Sequence, residues 1–241
     1  MTASFNIDAR DSSSLAEAFG ERGLDLSHFP TRTARKQANN GLEEELYVLR
    51  RYLFTLDAAG LLPYPLRLSK SETPDFAGIA RGNALGIEIT EATSPGDQRE
   101  MTISERSGRP ALLGTHGGRY KGGIRDGAPP ERGRRADRDL TSDVLRAIRR
   151  KWGLPFETPS VDLVLYANGN ANMMSDFPTF HPLVCSRVDR WSGPIAKRGK
   201  VRRIAIIKEP KLILWNGPGR TDVLELRESL SHWNHTATSI I

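Results

Sequence analysis

The sequence predicts an α/β domain in which helices flank a mixed central sheet. Three observations carry this prediction: a leucine-rich amphipathic pattern after residue 41, three strand-like runs between residues 65 and 92, and a later helical pattern followed by an apolar run at 161–167. A strand, a helix and then a buried strand imply a right-handed crossover to a parallel neighbour. The expected order is helix, three-stranded meander, loop, helix, strand and hairpin.

The first forty residues are predicted to form an N-terminal arm with one short helix. Ser14 and Glu17 have the spacing of a capping box at the start of LAEAFGERG. The following FPTRTARKQANN is polar and offers little to bury. Residues 41–241 are therefore expected to form one domain with its core at 42–167.

The first long helix is predicted to run from about Asn40 to about Gly60, with leucines at steps of three and four residues. Glu44, Arg50 and Arg51 are expected to face solvent on this helix. Glu45 falls on the shoulder of the leucine stripe, where a carboxylate is costly unless something pairs with it. A boundary glutamate with its charge in water is the alternative interpretation.

The three strand-like runs carry an acidic pair. Asp75 opens the second run, and Glu88 lies thirteen positions later in the middle of the third. The link Arg81-Gly82-Asn83 suits a hairpin, so the two acids can lie side by side. Because Glu88 is flanked by isoleucines in a buried strand, it needs a partner, and a divalent cation shared with Asp75 would repay its desolvation.

The rest of the chain is predicted as a loop, a helix, a strand and a hairpin. Residues 107–135 are rich in Gly and Arg and are interpreted as a long functional loop. A helix from Asp139 to Trp152 and a buried strand at 161–167 follow. In the C-terminal region, 200–241, Lys208-Glu209-Pro210 joins RIAII and KLILW as a hairpin, and TDVLELRESLSHW is expected to be a helix.

These features resemble the PD-(D/E)xK nuclease superfamily, which has the restriction-endonuclease-like fold. The resemblance rests on Pro74-Asp75, on Glu88, and on a glutamate, Glu45, in the first helix of an αβββαβ order. It implies Mg²⁺, or Mn²⁺ as a substitute, held by Asp75, Glu88 and the Ile89 carbonyl. Glu45 would bind a second ion or its water shell.

One position departs from the family pattern. Thr90 stands where the motif lysine is expected, so this chain is a divergent member reading E-x-T. Lys151 lies on the apolar arc of the second helix, whereas Arg146, Arg149 and Arg150 are expected to point away from that arc. Lys151 is one candidate for the replacement, with a lysine that snorkels at the helix end as the alternative. Lys121, on the Gly/Arg loop, is the other candidate.

Charge favours a polyanionic partner. The chain has 35 Lys+Arg and 29 Asp+Glu, a net charge of +6, and a sequence pI of about 9.7. The stretch 99–152 alone carries 14 basic and 7 acidic residues, a net +7, so the excess lies beside the predicted site. The residues expected to bind nucleic acid are Arg119, Lys121, Arg125, Arg132, Arg134 and Arg135.

The same composition excludes other classes. A single cysteine, Cys185, excludes an internal disulfide and a thiolate zinc cluster. No apolar run is long enough for a membrane span, and the N-terminal residues lack the layout of a secretory signal. A cytoplasmic protein with no membrane partner is therefore expected.

Together these features predict a metal-dependent nuclease, with DNA favoured over RNA. The catalytic candidates are Asp75, Glu88, Lys151, Glu45 and Lys121. Two alternatives stay open: an inactive nucleic-acid-binding module on the same fold, and the same nuclease chemistry used as an antibacterial toxin. Many members of the superfamily act as dimers, so a homodimer is one expected assembly.

Overall fold

The computed structural model describes residues 5–20, 40–94, 134–167, 175–192 and 200–227. Eight strands and four helices lie in these ranges. In chain order they are β1 Asn6–Ala9, α1 Ser12–Gly20, α2 Asn40–Ala58, β2 Leu66–Lys70, β3 Phe76–Ala80, β4 Asn83–Ala92, α3 Arg134–Trp152, β5 Val161–Ala167, α4 Phe177–Ser192, β6 Val201–Lys208, β7 Lys211–Trp215 and β8 Thr221–Glu225.

All eight strands form one mixed sheet, and their spatial order equals their order in the chain. The pairs β4–β5 and β5–β6 are parallel, and every other neighbouring pair is antiparallel. Crossover helices α3 and α4 connect the parallel pairs, as parallel pairing requires. The predicted mixed α/β class is confirmed, and over residues 40–167 the observed order is helix, three-stranded meander, helix and parallel strand.

Two apolar cores lie on opposite faces of the sheet. Helices α1 and α2 pack on one face with residues such as Leu49, Ile87 and Ile89. Helices α3 and α4 pack on the other face with residues such as Ile148 and Leu163. Because side chains alternate along a strand, Glu88 of β4 points to the α3 face. No helix in the described ranges has the length and apolarity that crossing a membrane would need.

The N-terminal arm prediction is wrong for the segment that the structure describes. Residues of β1 pair with β2, and Phe5, Leu15 and Phe19 are buried in the core shared with α2. The short helix exists, but its first turn is capped by Asp11 rather than Ser14, because the Ser14 N–H donates to Asp11 Oδ1 at 2.9 Å.

Helix α2 is buried more widely than its leucine stripe predicts. Glu44 and Arg51, both expected in solvent, are buried. The Arg51 guanidinium lies 4.5 Å from the centre of the Tyr47 ring and forms an ion pair with Glu209 in the turn between β6 and β7. The C-terminal strands therefore cover a side of α2 that the local sequence pattern assigns to water.

Two elements near the C-terminus also differ from the prediction. The segment TDVLE, expected to be helical, forms β8 and pairs with β7. Helix α4 was not predicted, and Pro182 lies inside it. Its buried Phe180, Val184 and Val188 nevertheless recur every four residues. The loop predicted at 107–135 lies outside the described residues up to 133, and α3 begins at Arg134, earlier than the predicted Asp139.

A buried acid on the α2 face holds this helix to the parallel strands. Asp162 of β5 accepts a hydrogen bond from Tyr52 Oη at 2.8 Å and two from Arg202, at 2.7 and 3.0 Å. Its side chain is 2% exposed. A buried carboxylate with this many partners is compensated, and loss of it would leave a buried hydroxyl without an acceptor.

We therefore predict that Asp162→Ala lowers the free energy of unfolding by about 3–5 kcal/mol, as measured by urea unfolding. The matched control is Asp8→Ala, which removes an ion pair between Asp8 and Arg67 whose side chains are 61% and 70% exposed. That change is expected to cost about 1 kcal/mol or less. Equal losses in the two variants would contradict the role assigned to Asp162.

Candidate active site

Five charged residues from five elements or their flanks are linked by a chain of contacts that runs from α2 on one face of the sheet to α3 on the other. Four were predicted from the sequence: Glu45 of α2, Asp75 just before β3, Glu88 of β4 and Lys151 of α3. The fifth, Lys70 at the end of β2, was not predicted. We refer to Glu45, Asp75 and Glu88 as the acidic cluster.

Strand register brings Asp75 beside Glu88. Phe76 pairs with Ile87, so the residue before β3 lies next to the middle of β4. The Asp75 N–H donates to Glu88 Oε2 at 3.2 Å, and the Ile89 N–H donates to Asp75 Oδ2 at 2.7 Å. The Glu88 carboxylate is thus fixed to the backbone of Asp75, and the Asp75 carboxylate is fixed to the backbone of Ile89, the residue after Glu88.

Gly86 explains how the chain reaches this arrangement. A Cβ atom at Gly86 would lie only 2.6 Å from Pro74 Cγ, so the proline can pack on β4 only because residue 86 lacks a side chain. The Ser71 N–H donates to the Asp75 carbonyl at 2.8 Å and closes the turn between β2 and β3. Packing of Pro74 and closure of this turn together set where Asp75 enters the site.

Lys151 reaches Glu88 from the helix across the sheet face. Its Nζ lies 2.5 Å from Glu88 Oε1, and the side chains of Lys151 and Glu88 are 24% and 3% exposed. The amine therefore does not snorkel away from the core, which was the alternative interpretation. Lys151 instead contacts Glu88, the acid of the E-x-T sequence in which threonine replaces the motif lysine.

Thr90, the residue in the motif lysine's position, also has a cationic neighbour. Arg150 donates from its guanidinium to Thr90 Oγ1 at 2.7 Å. The expectation that Arg150 points away from the sheet is therefore wrong for its end group. Arg150 and Lys151, two consecutive residues of α3, thus place positive charge beside Thr90 and Glu88 of β4. In an E-x-K motif, the lysine of the strand itself would supply this charge.

Lys70 joins the other two acids. Its Nζ lies 2.7 Å from Glu45 Oε2 and 3.6 Å from Asp75 Oδ1, and it sits 5.1 Å from the centre of the Phe76 ring. The sequence did contain a signal for this placement. Alternation in LRLSK puts Lys70 on the same face as the buried Leu66 and Leu68, directly before Pro74-Asp75.

Burial and mutual repulsion raise the pKa values of two members of the acidic cluster. The pKa of Glu88 is raised chiefly by burial, with a further contribution from the charge of Asp75, against the lowering effect of Lys151. The pKa of Glu45 is raised by burial and by the charges of Asp75 and Glu88, against the effect of Lys70. The lowering effects of Lys70 and Lys151 on these pKa values are thus smaller than the combined effects of burial and of the neighbouring acids.

The residues fit a hard cation with few protein ligands. Among the described residues, no three acidic, histidine or cysteine side chains are arranged to hold one ion together. Two do approach each other, Asp75 and Glu88, and Mg²⁺ is commonly held by one or two carboxylates while it keeps several waters. The N–H and C=O of one residue in a strand point to the same side, so the Ile89 carbonyl shares the side of the N–H that binds Asp75.

The remaining predicted residues cannot be located at this site. Lys121, Arg119, Arg125 and Arg132 lie outside the described residues. Arg134 and Arg135 are the first two residues of α3. Of the two lysine candidates, only Lys151 is therefore described next to Glu88.

Comparison with known proteins adds no assignment. The chain matches no protein-family model, no curated protein and no solved structure. Any proposal for its function must rest on the residues and contacts described above.

The raised pKa of Glu88 gives a stability test. Between the ordinary carboxyl pKa and the raised pKa of the folded protein, the folded state binds more protons than the unfolded state, so stability falls as pH rises through this window. We predict that Glu88→Gln raises the melting temperature at pH 7 and that this gain shrinks as the pH approaches 4.5, the ordinary Glu pKa. Each ~1 kcal/mol gained would appear as about 2–4 °C.

Differential scanning fluorimetry at several pH values would measure this effect. Glu72→Gln is the matched control, because Glu72 is exposed in the turn that leads to Asp75 and should leave the melting temperature unchanged. A lower melting temperature for Glu88→Gln than for the control would mean that Glu88 serves mainly as a structural ion-pair partner of Lys151.

Proposed function

We propose that this protein is a divalent-metal-dependent nuclease that hydrolyses phosphodiester bonds, with DNA as its substrate. The observation that carries the proposal is the pairing of Asp75 and Glu88 through two backbone hydrogen bonds, with Lys151 in contact with Glu88. The element order over residues 40–167 supports a restriction-endonuclease-like core. We therefore include membership of the PD-(D/E)xK superfamily in the proposal.

Asp75, Glu88 and the Ile89 carbonyl would hold Mg²⁺ or Mn²⁺. When bound, such an ion polarises a scissile phosphate and makes a water molecule nucleophilic at neutral pH. The chain fixes the two carboxylates through the N–H groups of Asp75 and Ile89, so their position does not depend on the ligand. This preorganisation is what electrostatic catalysis requires.

The two lysines have different tasks in this proposal. Lys151 contacts Glu88 from a rigid helix and is about a quarter exposed, so its ammonium can orient the attacking water or stabilise charge on the phosphate. Lys70 lies between Glu45 and Asp75 and holds these two acids together as a positioning residue. Glu45 would act on the water shell of the ion.

A non-catalytic nucleic-acid-binding module is the second candidate. It is favoured by the two lysines, which already pair with all three acids of the cluster. Titration calorimetry with Mn²⁺ separates the candidates: the nuclease requires an ion site that Glu88→Ala abolishes, whereas the binding module requires none. Use of the nuclease as a toxin would involve the same residues and differ only in the cell that is harmed.

The nuclease proposal predicts that Asp75→Asn and Glu88→Gln each lower plasmid nicking with Mg²⁺ or Mn²⁺ by about 10²-fold or more. Loss of a metal ligand removes several kcal/mol of transition-state stabilisation, and ~1.4 kcal/mol corresponds to a factor of ten. Glu72→Gln, three residues before Asp75, is the matched control and should cleave like the wild type. Undiminished nicking by both site variants would exclude this site.

The proposal for Lys151 predicts that Lys151→Met lowers the maximal cleavage rate by about 10²-fold at saturating Mg²⁺, because one preorganised donor is commonly worth that much. Lys211→Met is the control, since Lys211 pairs with Glu225 at the start of β7 and contacts none of the acidic cluster. Single-turnover rates on a labelled duplex would measure the effect. A Lys151→Met enzyme as fast as the Lys211→Met enzyme would leave the missing motif lysine without a replacement in α3.

A further inference from the structure

Helix α3 presents an exposed arginine face that the proposed active site does not use. At ~100° per residue, the four arginines that are exposed among residues 136–152 of this helix fall within about one third of the helix circumference. They are Arg138, Arg146, Arg149 and Arg150. The opposite side of α3 is apolar and buried against the sheet and α4. We call these four residues the arginine face.

Most of the charge of the arginine face remains available to a ligand. Arg138 and Arg149 have no ion-pair partner among the described residues. Arg150 donates to the neutral hydroxyl of Thr90 and so keeps its positive charge. Arg146 pairs with Asp143 at 2.7 Å and is the partly neutralised member.

The face forms a line along α3, and only its last member, Arg150, reaches the strand that carries Glu88. Arg138 and Arg149 are eleven residues apart, so they lie about 16 Å apart along the axis and only about 20° apart around it. Arg150 follows at once, whereas Lys151 lies about 160° from Arg149 around the axis, on the side of α3 that contacts Glu88. One strand of B-form DNA carries about five phosphates over such a length, at ~3.4 Å per phosphate along the duplex axis.

We propose that the arginine face binds the phosphate backbone of duplex DNA. The choice of DNA as the ligand rests on the proposed nuclease function. Guanidinium groups pair with phosphate oxygens through two parallel hydrogen bonds, which suits a row of arginines to this ligand. Among the described residues, the exposed large apolar side chains are Leu61, Ile79 and Val223, none of them in α3, so the helix has no apolar face for a lipid surface.

The test is binding of a fluorescent duplex DNA to the full chain in EDTA, where a metal-dependent enzyme cannot cleave. We expect Arg138→Gln/Arg149→Gln to weaken binding about tenfold at 0.1 M salt. The slope of log K against log salt should fall in magnitude by about 1.8, that is ~0.9 for each of two lost phosphate contacts. Fluorescence anisotropy over a range of salt concentrations gives both quantities.

The matched control is Arg187→Gln/Arg190→Gln, which removes two exposed charges from the neighbouring α4. It should change the affinity less than threefold and leave the slope unchanged. Equal losses in the two double variants would overturn the proposal, because binding would then follow net charge alone. Equal or tighter binding of the wild type to a duplex RNA of the same sequence would overturn the choice of DNA.

A further variant separates this proposal from the nuclease proposal. Glu88→Gln should bind duplex DNA at least as tightly as the wild type, because it removes a negative charge near the phosphates. If the wild type fails to cleave with Mg²⁺ or Mn²⁺ while the arginine variants still lose affinity and slope, the nuclease proposal fails and the arginine face stands. If cleavage depends on Glu88 but binding ignores Arg138 and Arg149, the arginine face fails alone.

Discussion

The cost of burying the Glu88 carboxylate shapes this part of the molecule. Glu88 lies between Ile87 and Ile89 on β4, and its side chain enters the interface between the sheet and α3. An ionised carboxylate buried there must find partners. It finds a backbone donor at Asp75 and an ammonium donor at Lys151. Packing of Pro74 on Gly86 places the Asp75 N–H beside Glu88, and packing of α3 on the sheet places Lys151 beside it. Both features therefore provide a partner for the Glu88 carboxylate.

Comparison of Glu88 with Asp162, another buried acid, shows why the surroundings of Glu88 make a candidate site. Asp162 accepts hydrogen bonds from both sides of one arginine and from a tyrosine hydroxyl, and its hydrogen bonding to Arg202, with a further contribution from its charge, raises the pKa of that arginine. The acidic cluster has three carboxylates and two lysines, and the pKa values of Glu45 and Glu88 remain raised. Asp162 therefore stabilises the fold, whereas the acidic cluster combines neighbouring carboxylates with raised pKa values, a combination that is common at functional sites.

The sequence pattern predicted those parts of the fold that are determined by residues close together in the chain. The leucine steps, the Arg81-Gly82 hairpin and the acids at a strand start and a strand middle all lie within short windows, and the structure brings Glu45, Asp75 and Glu88 together. Long-range packing decided the rest. β1 gains its place from pairing with β2 some sixty residues away, and β8 forms because β7 offers an open edge. Lys70 belongs to no motif, and its partners Glu45 and Asp75 come from other segments of the chain, so only its alternation with Leu66 and Leu68 indicates its place.

The lysine that contacts Glu88 belongs to a helix and not to β4, and this has a structural consequence. A motif lysine on β4 would be fixed by the strand itself, whereas Lys151 depends on how α3 docks on the sheet. The edge-to-face contact of Trp152 with Trp191 on α4, at 5.2 Å between ring centres, fixes the end of α3 that carries it. Positive charges also suit this end, since a helix C-terminus bears partial negative charge. One rigid helix therefore sets Lys151 against Glu88 on its buried side and presents the arginine face to solvent on its other side.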